Sequence, residues 1–204
     1  MGAREKLERA FGERLFLKGA RCASSKCAAV RRPYPPGVHG PGKRSRPTSF
    51  GTQLREKQKA KIIYGLPERQ FRKYFDKATG RTGNTGEILI TMLEMRLDNV
   101  AYRLGIAPSR RAARQVVSHG HITLNGKKVD VPSAQVRAGD EIGIRAQSQG
   151  KKYFETIRET FAKQTPVWLA PNPDALTAKV IGVPAGDDLK QNFDPKPIIE
   201  FYSR

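Results

Sequence analysis

Three arginines lie close together at the start of a predicted helix, in the segment PSRRAARQVVS. Ser109 is a good N-cap residue, so Arg110, Arg111 and Arg114 would occupy the first turns, where the helix dipole already presents positive charge. Backbone N–H groups and guanidinium groups together form a phosphate site, and a nucleic-acid backbone is the natural ligand. The alternative is a solvated cationic face, which costs only about a few tenths of a kcal/mol per residue.

A second cationic segment, an extended arm, lies between the helices predicted over residues 1–20 and 52–63. Residues 31–49 read RRPYPPGVHGPGKRSRPTS, where prolines and glycines disfavour regular structure. Tyr34 and His39 interleave aromatic rings with guanidinium groups, a combination suited to RNA, although a disordered linker is the alternative. Across the whole chain we predict RNA contacts at these positions: Arg44, Arg46, Arg55, Lys57, Arg72, Arg110, Arg111, Arg114, His119, His121, Lys127 and Lys128.

Catalytic and metal chemistry finds little support in the residue pattern. Cys22 and Cys27 could supply two of the four ligands of a zinc site, but the sequence has no second cysteine pair. The alternative is that both are reduced thiols without metal. His119 and His121 have no carboxylate or thiolate neighbours in sequence. A phosphate loop, a metalloprotease histidine pair and a catalytic triad are all missing. We therefore predict no metal, no cofactor, no small-molecule substrate, no catalytic residue and no enzymatic activity.

Apolar spacing predicts the helices that would position these residues. Phe71, Tyr74 and Phe75 form one apolar stripe on one predicted helix. Lys57, Lys59 and Lys61 are expected on the surface of the preceding helix. The predicted helices cover residues 1–20, 52–63, 67 or 68 onward, 87–104, 110–118 and 147–163.

A small antiparallel sheet is predicted to follow the arginine-bearing helix. In ITLNGKKVDV, Asn125 and Gly126 are the strongest short-range signal for a type I′ hairpin, which would place Lys127 and Lys128 at its tip. Further along, EIGIRA alternates as a strand does, after a turn at Ala138-Gly139-Asp140.

The charge is strongly positive and unevenly distributed. The chain has 38 Lys and Arg against 19 Asp and Glu, a formal net charge of +19. The electric field of so positive a chain attracts polyanions.

The sequence shows no sign of a membrane span or a signal peptide. The longest apolar stretch is far shorter than the roughly 20 residues of a membrane span, and the N-terminus has no apolar signal-peptide region. We therefore predict a cytoplasmic protein without a membrane partner.

One passage resembles a known RNA-binding module. Residues 96–133, RLDNVAYRLGIAPSRRAARQVVSHGHITLNGKKVDVPS, are similar to the small module found in ribosomal, synthetase and pseudouridine-synthase proteins. The module takes its name from the family of the fourth small-subunit ribosomal protein. Three further passages, RRPYPPGVHG, QLREKQKAKIIYGLPERQFRKYF and IIEFYSR, are similar to that bacterial family, so the resemblance covers nearly the whole chain.

The resemblance implies a primary binder of 16S rRNA that nucleates assembly of the 5′ domain at a multi-helix junction. It also implies the fifth small-subunit protein as a neighbour, other small-subunit proteins as partners, and a contribution to translational accuracy near the messenger entry channel. Its location would be cytoplasmic, in the ribosome, and no homo-oligomer is expected. Some family members repress translation of their own operon.

The fold expected from residues and resemblance together is α+β. It comprises a helical N-terminal region with the basic arm, a small RNA-binding module of two helices and a short antiparallel sheet, and a C-terminal segment that packs back. The predicted boundaries are 1–49 for the basic extension, 50–93 for the helical region, 94–148 for the module, and 149–204 for the C-terminal helix and tail.

The N-terminus departs from the family pattern. Many bacterial relatives carry a four-cysteine zinc knuckle, and Cys22 and Cys27 match its later pair. Glu5 and Glu8 stand where the earlier pair would fall, which is an unusual substitution for zinc. We therefore predict an N-terminus without metal.

Two other functions share the module. Arg96, Leu97 and Asp98 resemble the tripeptide that carries the catalytic aspartate of RNA pseudouridine synthases. A synthase needs a large catalytic domain after the module, and too little chain remains, so we expect Asp98 to pair locally with an arginine such as Arg103 or Arg110. A stand-alone ribosome-rescue protein is the other alternative, but it would share only the module and not the N-terminal passages.

Overall fold

The chain forms two compact units, one made of residues 1–73 with 191–204 and the other of residues 74–190. No helix in the described part of the chain is long and apolar enough to cross a membrane. The computed structural model describes residues 4–42, 47–157, 161 and 165–204.

Helices dominate the first unit, and the second unit adds a sheet. In chain order the elements are α1 (Arg4–Phe11), α2 (Ala20–Ala23), α3 (Ala28–Arg31), α4 (Ser49–Ile63), α5 (Glu68–Thr79), α6 (Thr85–Glu94), α7 (Leu97–Arg103), α8 (Arg110–Ser118), β1 (Ile122–Leu124), β2 (Lys127–Val129), β3 (Glu141–Ile144), α9 (Ala146–Gln149), α10 (Lys152–Ile157), β4 (Leu169–Asn172), β5 (Thr177–Val180), a 3-10 turn (Gly186–Leu189) and α11 (Pro195–Tyr202).

The N-terminal helix is shorter than its apolar spacing predicts. α1 ends at Phe11 because Gly12 takes a φ of 64°, a left-handed conformation that suits glycine and stops a helix. Phe11 and Leu15 are both buried, but they lie on either side of this turn. The helix predicted over residues 1–20 is therefore wrong beyond Phe11.

The C-terminal helix α11 packs on α4 within the first unit. Asp194 caps α11, and the ring of Phe201 lies 5.6 Å from that of Phe50. Gln53 Nε2 donates a hydrogen bond to Glu200 Oε2 at 2.7 Å. These contacts confirm the prediction that the C-terminal segment packs back.

The lysines of α4 do not all lie on the surface. The side chains of Lys57 and Lys59 are each 7% exposed. Lys57 Nζ lies 2.8 Å from Glu68 Oε1, and Lys59 Nζ lies 2.6 Å from Glu13 Oε2. Acidic residues from the preceding and following segments therefore cover the cationic face of α4, and the surface placement predicted for these two lysines is wrong.

The second unit is built on a five-stranded sheet of order β2-β1-β3-β5-β4, antiparallel throughout. One hydrophobic core joins α7 and α8 to this sheet, with Val100, Val117, Ile122, Ile142 and Val180 all nearly inaccessible. Full burial of one such side chain contributes about 1.5–3 kcal/mol. Helices and sheet together confirm the predicted α+β class.

The start of α8 and the hairpin are confirmed in detail. Ser109 Oγ accepts a hydrogen bond from the Ala112 N–H at 3.3 Å, which caps α8. Asn125 and Gly126 take positive φ values of 51° and 77°, as a type I′ turn requires. Lys127 therefore directly follows the hairpin turn.

The helix predicted over residues 87–104 is wrong as a single element, because α6 and α7 are separate. Between them Arg96 is extended, with φ −76° and ψ 139°, and forms an isolated β-bridge with Gln135. The Val136 N–H also donates to the Met95 carbonyl at 2.9 Å. Pairing with a distant segment interrupts the helix, and apolar spacing carries no sign of such pairing.

Two strands lie outside the predicted elements. β4 and β5 form a hairpin, and β5 pairs with β3 so that Ala178 lies opposite Ile142. In place of the helix predicted over residues 147–163, the described part of the chain has α9 and α10. Residues 158–160 and 162–164 lie outside the described residues.

Candidate nucleic-acid interface

Asp98 holds two arginines from different elements. Its side chain is 5% exposed and accepts hydrogen bonds from Arg96 at 3.0 and 2.9 Å. Arg114 of α8 donates to the same carboxylate from Nε and Nη2, at 2.9 and 2.7 Å. Burial lowers the pKa of Arg96, but the hydrogen bonds and charge of Asp98 outweigh it and raise that pKa. The expected pairing of Asp98 with an arginine is confirmed, but its partners are Arg96 and Arg114 and not Arg103 or Arg110.

Glu94 orients a second arginine pair. Its side chain is 2% exposed and accepts a hydrogen bond from Arg103 Nε at 2.8 Å, while Arg110 Nη2 lies 3.7 Å away. Asn99 joins the cluster, donating to Glu94 Oε2 at 2.8 Å and accepting from Arg110 Nε at 2.7 Å. The guanidinium of Arg110 also lies 4.7 Å from the centre of the Tyr102 ring. Arg110 is thus held from three sides.

Arg111 differs from its neighbours in α8. Its side chain is exposed, and none of the ion pairs among the described residues involves it. Acids of the chain itself lie beside Arg110 and Arg114, whereas the sequence predicted a bound anion as the main compensation for the arginines of α8. Because each buried acid contacts two arginines, the cluster keeps an excess of positive charge. Arg111 adds a further positive charge that is exposed to solvent.

The hairpin adds two exposed lysines to the same unit. Lys127 and Lys128 follow the turn directly, and both are exposed. Lys128 Nζ lies 3.9 Å from Asp130 Oδ2, a surface pair of the kind that contributes about 0–1 kcal/mol. A Cβ added at Gly120 would overlap the Lys128 side chain, so this lysine lies against the turn that follows α8.

The two histidines of this turn have different environments. His119 is exposed, whereas His121 is partly buried and its Nδ1 lies 2.9 Å from Ser148 Oγ. The rings are 6.1 Å apart in an edge-on arrangement. Burial, together with the positive charges of Lys151 and Arg145 and with His119, lowers the pKa of His121. At neutral pH His121 is therefore an uncharged ring for stacking or hydrogen bonding.

The first unit holds the other predicted contact residues. Arg55 is 44% exposed and lies 3.7 Å from Glu13, and Arg72 is exposed on α5. Both stay predicted RNA contacts. Arg44 and Arg46 lie outside the described residues.

Lys57 does not suit the phosphate contact predicted for it. Besides its pair with Glu68, its Nζ lies 4.1 Å from the centre of the Phe201 ring. Burial raises the pKa of Glu68, but hydrogen bonds from Lys57, Tyr202 and Lys61 outweigh it and lower that pKa to about 2. Lys57 is enclosed and paired within the chain, which disfavours the predicted phosphate contact.

The N-terminal residues bring three possible metal ligands together. Glu8, Cys22 and Cys27 are buried, and their ligand atoms lie within 4.8 Å of one another. The Cys22 thiol donates to Glu8 Oε1 at 3.4 Å, and the Leu17 N–H donates to the same oxygen at 3.1 Å. Burial foremost raises the pKa of Cys22 to about 11, which favours the protonated thiol.

The fourth position of the knuckle does not join this group. Glu5 Oε1 accepts hydrogen bonds from Lys18 and Arg21, each at 2.9 Å. These bonds, with the two positive charges, outweigh desolvation and lower the pKa of Glu5. A closed structural zinc site needs four ligands, and only three candidates converge among the described residues. The residues present do not fit such a site.

Sequence reasoning anticipated an arginine partner for Asp98 but missed Glu94 and the partner Arg114. Glu94 and Asp98 lie four residues apart within an apolar segment, and buried acids in such a segment need partners. That spacing was the available signal. Their partners could not be read from the sequence, because Arg114 is 16 residues from Asp98 and belongs to another helix.

Comparison with known proteins gives a consistent result. Residues 1–94 match the family described as ribosomal protein S4/S9 N-terminal domain, and residues 95–142 match the S4 domain. The chain is 50% identical over 204 residues to small ribosomal subunit protein uS4A of Clostridium novyi, covering 100% of this chain and 98% of that protein.

Two further relatives are similar over nearly their whole length. Small ribosomal subunit protein uS4 of Syntrophomonas wolfei is 48% identical over 194 residues, covering 95% of this chain and 93% of that protein. The protein of the same name from Thermus thermophilus is 47% identical over 203 residues, covering 98% and 96%. The chain therefore belongs to the bacterial uS4 family of ribosomal proteins, and α8 and the β1–β2 hairpin lie inside its S4 domain.

Proposed function

We propose that the chain is a primary binder of 16S rRNA that nucleates assembly of the 5′ domain of the small ribosomal subunit. As a member of the uS4 family it is a structural ribosomal protein and not an enzyme. The proposal also places the fifth small-subunit protein beside it, gives it a contribution to translational accuracy, and locates it in the cytoplasm.

The observation that carries RNA binding is the set of cations on the S4 domain. Arg110 and Arg114 are fixed by Glu94 and Asp98, so they lose little side-chain freedom on meeting a phosphate. Exposed Arg111 lies between them in sequence. Together with the hairpin lysines they form a preorganised cationic surface that suits a folded RNA backbone, which proteins recognise chiefly by shape and phosphates.

The environment of Asp98 disfavours the pseudouridine synthase alternative. A catalytic aspartate must reach the uridine, but Asp98 is 4% exposed and accepts hydrogen bonds from both Arg96 and Arg114. We expect no tritium release when the pure protein is incubated with tritium-labelled uridine RNA. Pulldown from lysate tests the ribosome-rescue alternative, since large-subunit RNA would be recovered in preference to small-subunit RNA if that alternative held.

A salt titration of binding tests the proposed function. Full-length protein is mixed with a 5′-domain fragment of 16S rRNA and, separately, with an equally charged linear polyanion. If on the order of 6 to 10 phosphates are neutralised, the affinity for the fragment falls by about three to five decades between roughly 50 and 200 mM salt. Equal affinity for both polymers, or a flat titration, would refute the proposal.

Single variants locate the contacts. Arg111→Ala is expected to weaken binding and to lower the slope of log affinity against log salt by about 1, as the loss of one phosphate contact does. Lys179→Ala is the matched control, because Lys179 is an exposed cation of the same unit on strand β5, outside α8 and the β1–β2 hairpin. Its slope should equal that of the wild type.

The assembly role needs a separate measurement. Small-subunit reconstitution with Arg111→Ala should incorporate later proteins of the 5′ domain more slowly than with Lys179→Ala. Crosslinking of the assembled subunit identifies the protein neighbour, and a misreading reporter measures accuracy. Normal assembly with both variants would leave the chain an RNA binder without the nucleating role.

A further inference from the structure

A cavity of about 280 Å³ opens beside the C-terminal half of α8, in the second unit. Its lining comes from α8, from the turn that follows it and from the residues around the start of α10. Ligand pockets usually measure roughly 300–1,000 Å³. This cavity is therefore of a size for one small ring system.

Aromatic rings form part of its lining and are held in place. The Tyr153 hydroxyl donates to the Ile106 carbonyl at 3.2 Å, yet Tyr153 is 44% exposed. Phe154 lies beneath, with ring centres 5.1 Å from Tyr153 and 5.5 Å from His121. Anchored rings that remain accessible provide a stacking surface with little loss of side-chain freedom on binding.

The rest of the lining supplies polar groups. Gln115 and Lys151 are both exposed at the cavity, one with an amide that can donate and accept, the other with a positive charge. Lys128 reaches the same turn across Gly120. Stacking rings, one amide and flanking cations match the components of a nucleotide: a flat base, its hydrogen-bonding edge and its phosphate.

We infer that this cavity binds one unpaired nucleobase of the RNA, stacked on Tyr153 and His119, with Gln115 at the base edge and Lys151 at the adjacent phosphate. The inference rests on the proposed RNA-binding function and adds a base contact to it. Paired RNA hides its base edges, whereas an unpaired base can leave its helix and stack on aromatic side chains. The S4 domain would then combine phosphate contacts at the start of α8 with one base contact at its end.

Tyrosine variants separate stacking from charge. With the full-length chain and the 5′-domain fragment, Tyr153→Leu should lower affinity by about 5- to 150-fold, the usual effect of losing one base–aromatic stack. The salt slope should stay unchanged, because no phosphate contact is removed. Tyr153→Phe keeps the ring and should retain affinity within about threefold, so a loss as large as that of the leucine variant would contradict stacking.

A second variant and a crosslink keep the test decisive. His119→Ala replaces an exposed residue, so it is informative even if Tyr153→Leu loses its melting transition. Ultraviolet crosslinking of the wild-type complex should join an RNA base to the peptide that contains Tyr153 or His119. The inference is overturned if His119→Ala and every folded Tyr153 variant bind as the wild type does, or if crosslinks form only elsewhere. The proposed function then stands, provided that Arg111→Ala still lowers the salt slope.

Discussion

Helices α4 and α8 both look like cationic RNA-binding helices in sequence, but their cations have different environments. In α4 the side chains of Lys57 and Lys59 are buried against glutamates. In α8 the acids lie beneath the helix, and Arg111 remains exposed. The number of lysines and arginines in a segment therefore does not measure the charge that it offers to a partner; the position of the nearest acids decides it.

The buried acid beneath α8 should have the largest effect on stability. Asp98→Ala removes the partner of Arg96, whose side chain is 4% exposed, and leaves a buried positive charge. Breaking a buried pair in this way costs about 3–5 kcal/mol in the free energy of unfolding, measurable by urea denaturation. Asp187→Ala is the control, because its pair with Lys190 is 91% exposed on the aspartate side and should contribute less than about 1 kcal/mol. Equal losses in the two variants would show that burial does not distinguish these pairs.

The next largest expected effect comes from substituting one cation in each helix, Lys57 in α4 and Arg111 in α8. Lys57→Met should lower the free energy of unfolding by about 1.5–3 kcal/mol, because it removes a charged hydrogen bond to Glu68, while leaving the salt slope of RNA binding unchanged. Arg111→Ala should lower the salt slope of RNA binding and leave the free energy of unfolding within about 0.5 kcal/mol of the wild type. A lower salt slope in Lys57→Met would place Lys57 at the RNA and remove the contrast between α4 and α8.

The predictable part of this protein is the part that local chemistry determines. The N-cap at Ser109 and the Asn125-Gly126 turn depend on neighbouring residues only, and both are confirmed. The break at Arg96 depends on pairing with Gln135, which no local signal reveals. The prediction that Lys57 is exposed fails for the same reason, because the acid that covers this lysine, Glu68, belongs to another helix, α5.

The same limit applies to the candidate site. Sequence reasoning predicted Arg110, Arg111 and Arg114 as a group, and α8 carries all three. It could not show that Arg114 binds Asp98 or that Arg110 lies beside Glu94, because these pairs join residues from separate helices. Direct RNA contact stays a prediction at the predicted positions, including Arg44 and Arg46 in the basic arm, and burial against Glu68 disfavours it at Lys57.

A pH titration measures a smaller effect beside α4. The pKa of Glu68 is lowered to about 2, so its ionised form stabilises the fold above the unfolded-state pKa near 4.5, and this contribution is lost as pH falls from 4.5 towards 2. Because the Glu68 side chain is 43% exposed, solvent screening limits the change to about 1 kcal/mol. The wild type should lose that much more stability than Glu68→Gln over this interval. Parallel curves for the two proteins would show that Glu68 titrates normally in the folded state.

The smallest expected effect is that of zinc on the wild-type chain. Glu8 accepts hydrogen bonds from the Cys22 thiol and the Leu17 N–H, and Glu5 is engaged by Lys18 and Arg21. Mass spectrometry should therefore find no stoichiometric zinc, and a chelator should leave the melting temperature unchanged. The double variant Glu5→Cys and Glu8→Cys supplies four thiolates and should gain about one zinc equivalent, because four cysteines form a closed structural site. Adding Cys27→Ser to that variant should remove the metal. One equivalent of zinc in the wild type, lost with Cys27→Ser, would prove the carboxylates to be ligands and reverse this prediction.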